Sequence, residues 1–176
     1  MAYVPPSLRD RSVPSATATR FYTHDEVHAF TGSRSNTLIP DQTTPTNLSA
    51  VVLYKDQHPD WPSAREIFCK SNLEVLRSPA VTEGIESFPV FIELPFAKKF
   101  EFGGYFRVRR VRWLAPQSQE LKVYLARKFD PPTSPGTGRR RSVPVERTEV
   151  AWQDAWNREW AVVALEKDAT RLGMPF

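Results

Sequence analysis

The sequence predicts an α+β domain, a small, partly closed β-barrel carrying short helices at its periphery. Three observations point there. Runs rich in β-branched and aromatic residues have strand length: "LSAVVLYK", "FPVFIELP", the Phe102–Leu114 stretch "FGGYFRVRRVRWL", and "WAVVALEK". Short stretches with helix-start signals lie between them. The connections are long and irregular, which argues against a doubly wound sheet, and three or four strands are too few for a sandwich.

In chain order, residues 1–20 lack periodicity and read as a disordered arm, with a single domain over 21–176. Thr23 and Glu26 form a capping box that opens a short helix, and Gly32 stands just past its end. Residues 33–47 are rich in Ser, Thr, Asn and Pro and read as loop. The first strand is 48–55. Ser63 and Glu66 make a second capping box, so a short helix is expected over 64–70, with a strand as the alternative because "EIFC" also suits β structure. Residues 71–87 read as irregular and 88–95 as a strand bounded by Pro89 and Pro95. Ser118 then caps a helix carrying Leu121, Tyr124, Leu125 and Phe129 at helical spacing. The stretch "DPPTSPGTGRRRSVPVER" reads as a flexible basic loop over about 130–145. A last helix over 148–158 puts Trp152 and Trp156 one turn apart, before a strand at 160–167 that is apolar on both faces.

Composition bounds the function. A chain of 176 residues with 40% hydrophobic content can bury one core, and its 12% aromatic share argues against wholesale disorder. The formal net charge of +4 permits contact with nucleic acid or another anionic surface without demanding it. The lone Cys69 excludes an internal disulfide. With no apolar leader, a nuclear or cytoplasmic address is expected. No apolar run approaches the ~20 residues that span a bilayer.

The strand "GGYFRVRRVRW" carries Arg107, Arg109, Arg110 and Arg112. Strict alternation would put Tyr105, Arg107, Arg109, Val111 and Trp113 on one face and Phe106, Val108, Arg110, Arg112 and Leu114 on the other. Neither face is cleanly apolar, so a bulge near Arg109 and Arg110 is expected, switching which face is buried. Two readings stay open. The guanidinium groups solvate an exposed face, or they neutralise phosphates beside aromatic platforms, for which Tyr105, Phe106, Trp113 and Trp61 are candidates. Arginine in place of lysine favours phosphate, because the guanidinium fork matches it. Arg139, Arg140 and Arg141 offer a second basic stretch able to track a nucleic-acid backbone or dock an acidic partner. Trp152, Trp156 and Trp160 read as a core stripe, with an aromatic ligand cage as the alternative.

Two segments carry a resemblance. "FPVFIELP…FEFGGYFRVRRVRWLAPQSQELKVYLARKF" and "EVAWQDAWNREWAVVALEKD" together resemble an uncharacterised domain of fungal proteins. Their layout is also similar to the PUA-like superfamily, whose SRA, EVE and YTH members bind nucleic acid and often seat a modified base. The likeness covers about half the chain. It implies a non-catalytic nucleic-acid-binding domain, RNA or DNA, with a capacity for reading modified bases. Separately, "YVPPSLR" resembles a stretch near the N-terminus of some DEAD-box RNA helicases that contacts the cap-binding translation factor, and Tyr3 and Leu8 match its spacing. This supplies the alternative function, a protein-interaction or scaffold module using the arm and the basic surface.

Catalytic signals are weak. His24 and His28 share a helix face, but the zinc-protease motif needs Glu directly after the first His, and Asp25 stands there. No P-loop, dinucleotide fingerprint or nucleophile elbow is present. No metal or cofactor is expected.

Overall fold

The computed structural model describes residues 20–129 and 148–176 apart from Asp56, Pro59, Pro62 and Phe96. The expected arm, with Tyr3 and Leu8, and the basic loop, with Arg139, Arg140 and Arg141, fall outside the described residues.

Among the described residues, seven strands form one mixed sheet. They are β1 (Phe21–Thr23), β2 (Leu38–Pro40), β3 (Leu48–Leu53), β4 (Glu66–Cys69), β5 (Phe88–Glu93), β6 (Lys99–Leu114) and β7 (Trp160–Lys167). The order is β2-β3-β5-β6-β7-β4, with β1 pairing β6 off this path. All pairs are antiparallel except β3 with β5. Helices decorate it: α1 (His24–Thr31), α2 (Pro79–Thr82), α3 (Gln119–Phe129) and α4 (Glu149–Trp156), with a 3-10 turn at Leu73–Arg77. The sheet curls into a partly open half-barrel, so the α+β expectation holds at that level.

Strand β6 explains the curl. Sixteen residues laid straight would reach roughly 50 Å, against a radius of gyration near 16 Å for a domain of this length. The strand therefore has to bend, and two bulges let it. Gly103 is an extra residue opposite β5, where Val90 pairs Gly104 but Phe91 pairs Phe102. Arg109 is an extra residue opposite β7, where Val108 pairs Leu165 and Arg110 pairs Ala164. The bulge expected near Arg109 and Arg110 is present. The first half of β6 pairs with β5 and β1, and the second half with β7. Phe106 alone pairs with both β5 and β7, through Phe88 and Lys167, whereas Phe100 and Glu101 pair with β1 and β5.

Alternation along the strands sorts the core into layers. Val51, Leu53, Val90, Phe106, Val108, Val163 and Ile67 face one side, which Val75, Leu76 and Val81 of the 3-10 turn and α2 fill. The opposite side is covered at its two ends. Ala50, Val52, Phe91 and Phe100 meet Val27 of α1 at one end. Phe68, Leu114, Trp160 and Val162 meet Leu121, Tyr124 and Leu125 of α3 and Ala155 of α4 at the other.

The sequence expectation fails in three places. Residues 66–69 form a strand rather than the favoured helix. Arg65 takes a left-handed φ of 52°, and Ile67 and Phe68 pair Val163 and Val162 of β7. Strand pairing in the assembled sheet outweighs a local capping signal, and Ser63 spends its hydroxyl on the Asp60 carbonyl instead. The 33–47 loop contains β2, and 71–87 contains the 3-10 turn and α2. The count of three or four strands misses β1, β2 and β4, which are three or four residues long and owe their existence to their partners. The first helix is as expected. Thr23 Oγ1 accepts from the Glu26 N–H while a Glu26 carboxylate oxygen accepts from the Thr23 N–H, and Gly32 closes the helix at φ 68°.

Candidate nucleic-acid interface

The Arg109 bulge regroups the arginines. Arg107 lies opposite Glu166, Arg110 opposite Ala164 and Arg112 opposite Val162. These three β7 positions alternate, so Arg107, Arg110 and Arg112 share one face. Val111 and Trp113 turn instead to the side filled by α2. The shared strip lies between the two covered ends of that face.

Most of these arginines already meet a carboxylate. Arg107 Nη2 donates to Asp168 Oδ2 at 2.8 Å. Hydrogen bonds from the Thr170 hydroxyl and backbone, with help from Ser87 and Arg107, hold that carboxyl well below the usual carboxylate range. Arg110 reaches Glu66 Oε1 at 3.4 Å across β7 and stays 68% exposed. Arg112 Nη1 donates to Glu120 Oε1 at 2.5 Å, and its Nη2 donates to the Tyr124 hydroxyl. Arg109 is exposed, with no ion pair among the described residues.

Of the candidate aromatic platforms, Tyr105 and Phe106 are buried, and Trp113 and Trp61 are half-buried. Tyr105 is buried at 6% exposure, with the Arg171 guanidinium 4.1 Å from its ring centre. Trp113 lies under Arg77, whose guanidinium sits 4.3 Å from the ring centre. Trp61 packs against Phe106, itself buried. Three cavities stand out in the described region, and neither these rings nor the β6 arginines line any of them.

A second set of cations, not anticipated from the sequence, continues the strip. Helix α3 buries Leu121, Tyr124 and Leu125, which leaves Arg127 and Lys128 in its last turn, where the helix dipole favours positive charge. Arg112 and Arg127 lie 5.4 and 5.6 Å from the Tyr124 ring centre. Tyr124 packs on Phe68 at 5.4 Å, and Phe68 stacks on Trp160 at 4.1 Å. Lys128 lies 5.4 Å from Phe68 and 5.3 Å from Trp160, and Lys70 lies 5.6 Å from Trp160. Cations therefore line a buried aromatic stack from Arg112 to Lys70. Asp60 pairs Arg127, and Asp154 lies 3.9 Å from Lys70. The basic last turn of α3 was readable in the sequence. Its meeting with β4 and β6 was not.

Trp160 belongs to the core, 1% exposed, with its indole N–H donating to the Ala155 carbonyl at 2.8 Å. Trp152 and Trp156 are half-buried, edge to face at 6.2 Å, and border an open groove of about 390 Å³ with Lys122 and Glu149. His24 approaches Glu93 Oε1 at 3.2 Å, and no group of three or more His, Cys, Asp or Glu among the described residues could hold a metal. Among the same residues, no helix is long and apolar enough to cross a membrane. Comparison with protein-family models, with curated proteins and with solved structures finds no match.

Proposed function

We propose that this chain is a non-catalytic nucleic-acid-binding domain that grips phosphates along the ridge formed by Arg110, Arg112, Arg127, Lys128 and Lys70. One observation carries the reading: successive cations from Arg112 to Lys70 lean on a continuous aromatic stack. The charged heads themselves lie 5.4–5.6 Å from the ring centres, which orders them beside the rings at little conformational cost. The ion pairs of Arg110 with Glu66 and Arg112 with Glu120 are exposed, and pairs of that kind are worth ~0–1 kcal/mol. A phosphate can replace such a partner, and the guanidinium fork suits it better.

At the level of the fold, we read the half-barrel as PUA-like. A pocket for a modified base is not part of this reading, because Tyr105 is buried and the Arg77 guanidinium occupies the Trp113 ring. A nuclear or cytoplasmic address follows from the nature of the ligand.

Fluorescence anisotropy with single- and double-stranded RNA and DNA at two salt concentrations tests the proposal. Binding that weakens steeply with salt and falls in Arg112→Glu/Arg127→Glu supports it. Absence of binding at low salt rejects it. The second reading, a scaffold module for a protein partner, is favoured by the interleaving of Glu66, Glu120 and Asp60 among the cations. A mixed-sign surface suits a mixed-sign partner, and such a module would leave every oligonucleotide unbound.

A further inference from the structure

At the Lys70 end of the ridge lies a small polar cavity of about 90 Å³, lined in part by Lys70, Lys128, Ser35, Thr37, Ser71 and Gln57. It is well under the ~300–1,000 Å³ of pockets that take whole organic ligands. Two lysines and three hydroxyl-bearing residues line it, and no Asp or Glu of the described residues does. Asp154, 3.9 Å from Lys70, stands outside the lining. Two lysines at one small cavity make it a better seat for an anion than for a cation, whatever partners they also hold.

The hydrogen bonding behind the cavity prepares a donor. His58 Nδ1 accepts the backbone N–H of Phe68 at 3.1 Å. The ring proton therefore sits on Nε2, which donates to Thr37 Oγ1 at 3.4 Å. With its oxygen already accepting, the Thr37 hydroxyl keeps its own hydrogen to give. Burial holds the imidazole neutral, so the arrangement persists through the ordinary pH range.

We propose that this cavity seats one phosphate group, as free orthophosphate or as a terminal phosphomonoester, with Lys70 and Lys128 neutralising it and Thr37 donating to one of its oxygens. This goes beyond backbone contact on the ridge, because it assigns a small, half-open seat to a discrete tetrahedral anion.

Isothermal titration of the full chain with inorganic phosphate at low salt is expected to show one saturable site. Lys128→Gln should weaken it roughly tenfold or more, and Thr37→Val by less. Lys128 also covers aromatic surface, so melting curves without phosphate check that its variant is folded. Thr37→Val keeps the side-chain shape and decides the matter if the lysine variant does not fold. No saturable binding by the wild type, or binding unchanged in Thr37→Val and in a folded Lys128→Gln, overturns the proposal. An oligonucleotide with a 5′-phosphate, compared with the same strand ending in hydroxyl, separates the sources. Tighter binding of the phosphorylated strand assigns the seat to a strand end, and equal binding beside a working orthophosphate site assigns it to the free anion. Orthophosphate binding that persists in Arg112→Glu/Arg127→Glu, where oligonucleotide binding is lost, supports a seat distinct from the ridge. If no oligonucleotide binds yet orthophosphate does, the ridge reading falls and the seat stands.

Discussion

The backbone N–H of Phe68 donates to Nδ1 of His58 at 3.1 Å and commits a buried imidazole to one tautomer. Burial, with the Lys128 charge as a lesser cause, pushes the pKa of His58 down to about 3 from an ordinary 6.5. Between those values the unfolded chain binds the proton and the folded chain does not. Stability from this group is full above pH 6.5 and drains away as pH falls toward 3, by at most about 1.4 kcal/mol per pH unit. Urea unfolding at pH 7 and pH 5 should show the wild type losing stability. His58→Gln should start less stable and change less between the two.

Cys69 offers a second chemical test. Burial raises its thiol pKa to about 12, with Lys128 opposing weakly. At pH 8 about one thiol in ten thousand is ionised, and the sulfur is out of reach. A maleimide or disulfide reagent should therefore leave the folded protein unmodified over hours and label it at once in denaturant. Rapid labelling without denaturant would contradict the packing of β4 against β7.

Gly104 holds β6 at φ 111°, a conformation that L side chains rarely adopt, and an added Cβ would lie 2.9 Å from Lys167 Cε. Gly104→Ala should cost about 1–3 kcal/mol, read from the denaturation midpoint. The lysine end can move aside, so most of that cost is backbone strain. Replacing Lys167 with Ala in the same background should recover little.

The arginines of the strip should separate by role. Arg112→Glu/Arg127→Glu should lower the slope of log K against log salt by about 0.9 for each duplex phosphate that is no longer neutralised. Arg107 is held by an Asp168 carboxyl that Thr170 and Ser87 also engage. Arg107→Ala should leave affinity nearly unchanged and lower stability instead. Equal affinity losses from both changes would place the binding surface around β6 as a whole rather than at its α3 end.

What the sequence revealed and what it concealed follow from the range of the interactions involved. The bulge at Arg109 was legible because neither face of an unbroken strand would have been apolar. The α1 cap was legible because its bonds span three residues. β4 was concealed, since "SARE" imitates a cap and only β7, far along the chain, reveals a strand. Tyr105 and Trp113 looked like open platforms because the residues covering them, Arg171 and Arg77, come from remote segments. The ridge was hidden for the same reason. Lys70, Arg112 and Lys128 are separated in sequence and share only the buried stack beneath them.

Strand β6 hands the ladder from β5 to β7 with Phe106 as the only common rung. Backbone bonding thus stitches two panels together over two adjacent residues, Phe106 and Tyr105, whose carbonyl accepts the Asp168 N–H at 2.8 Å. Packing of Phe106 and Val108 with Val90 and Val163 supplies the remaining coherence across that seam. Trimming the Phe106 ring should let the panels exchange their amides as separate blocks, a mechanical independence that a flat, fully laddered sheet would not possess.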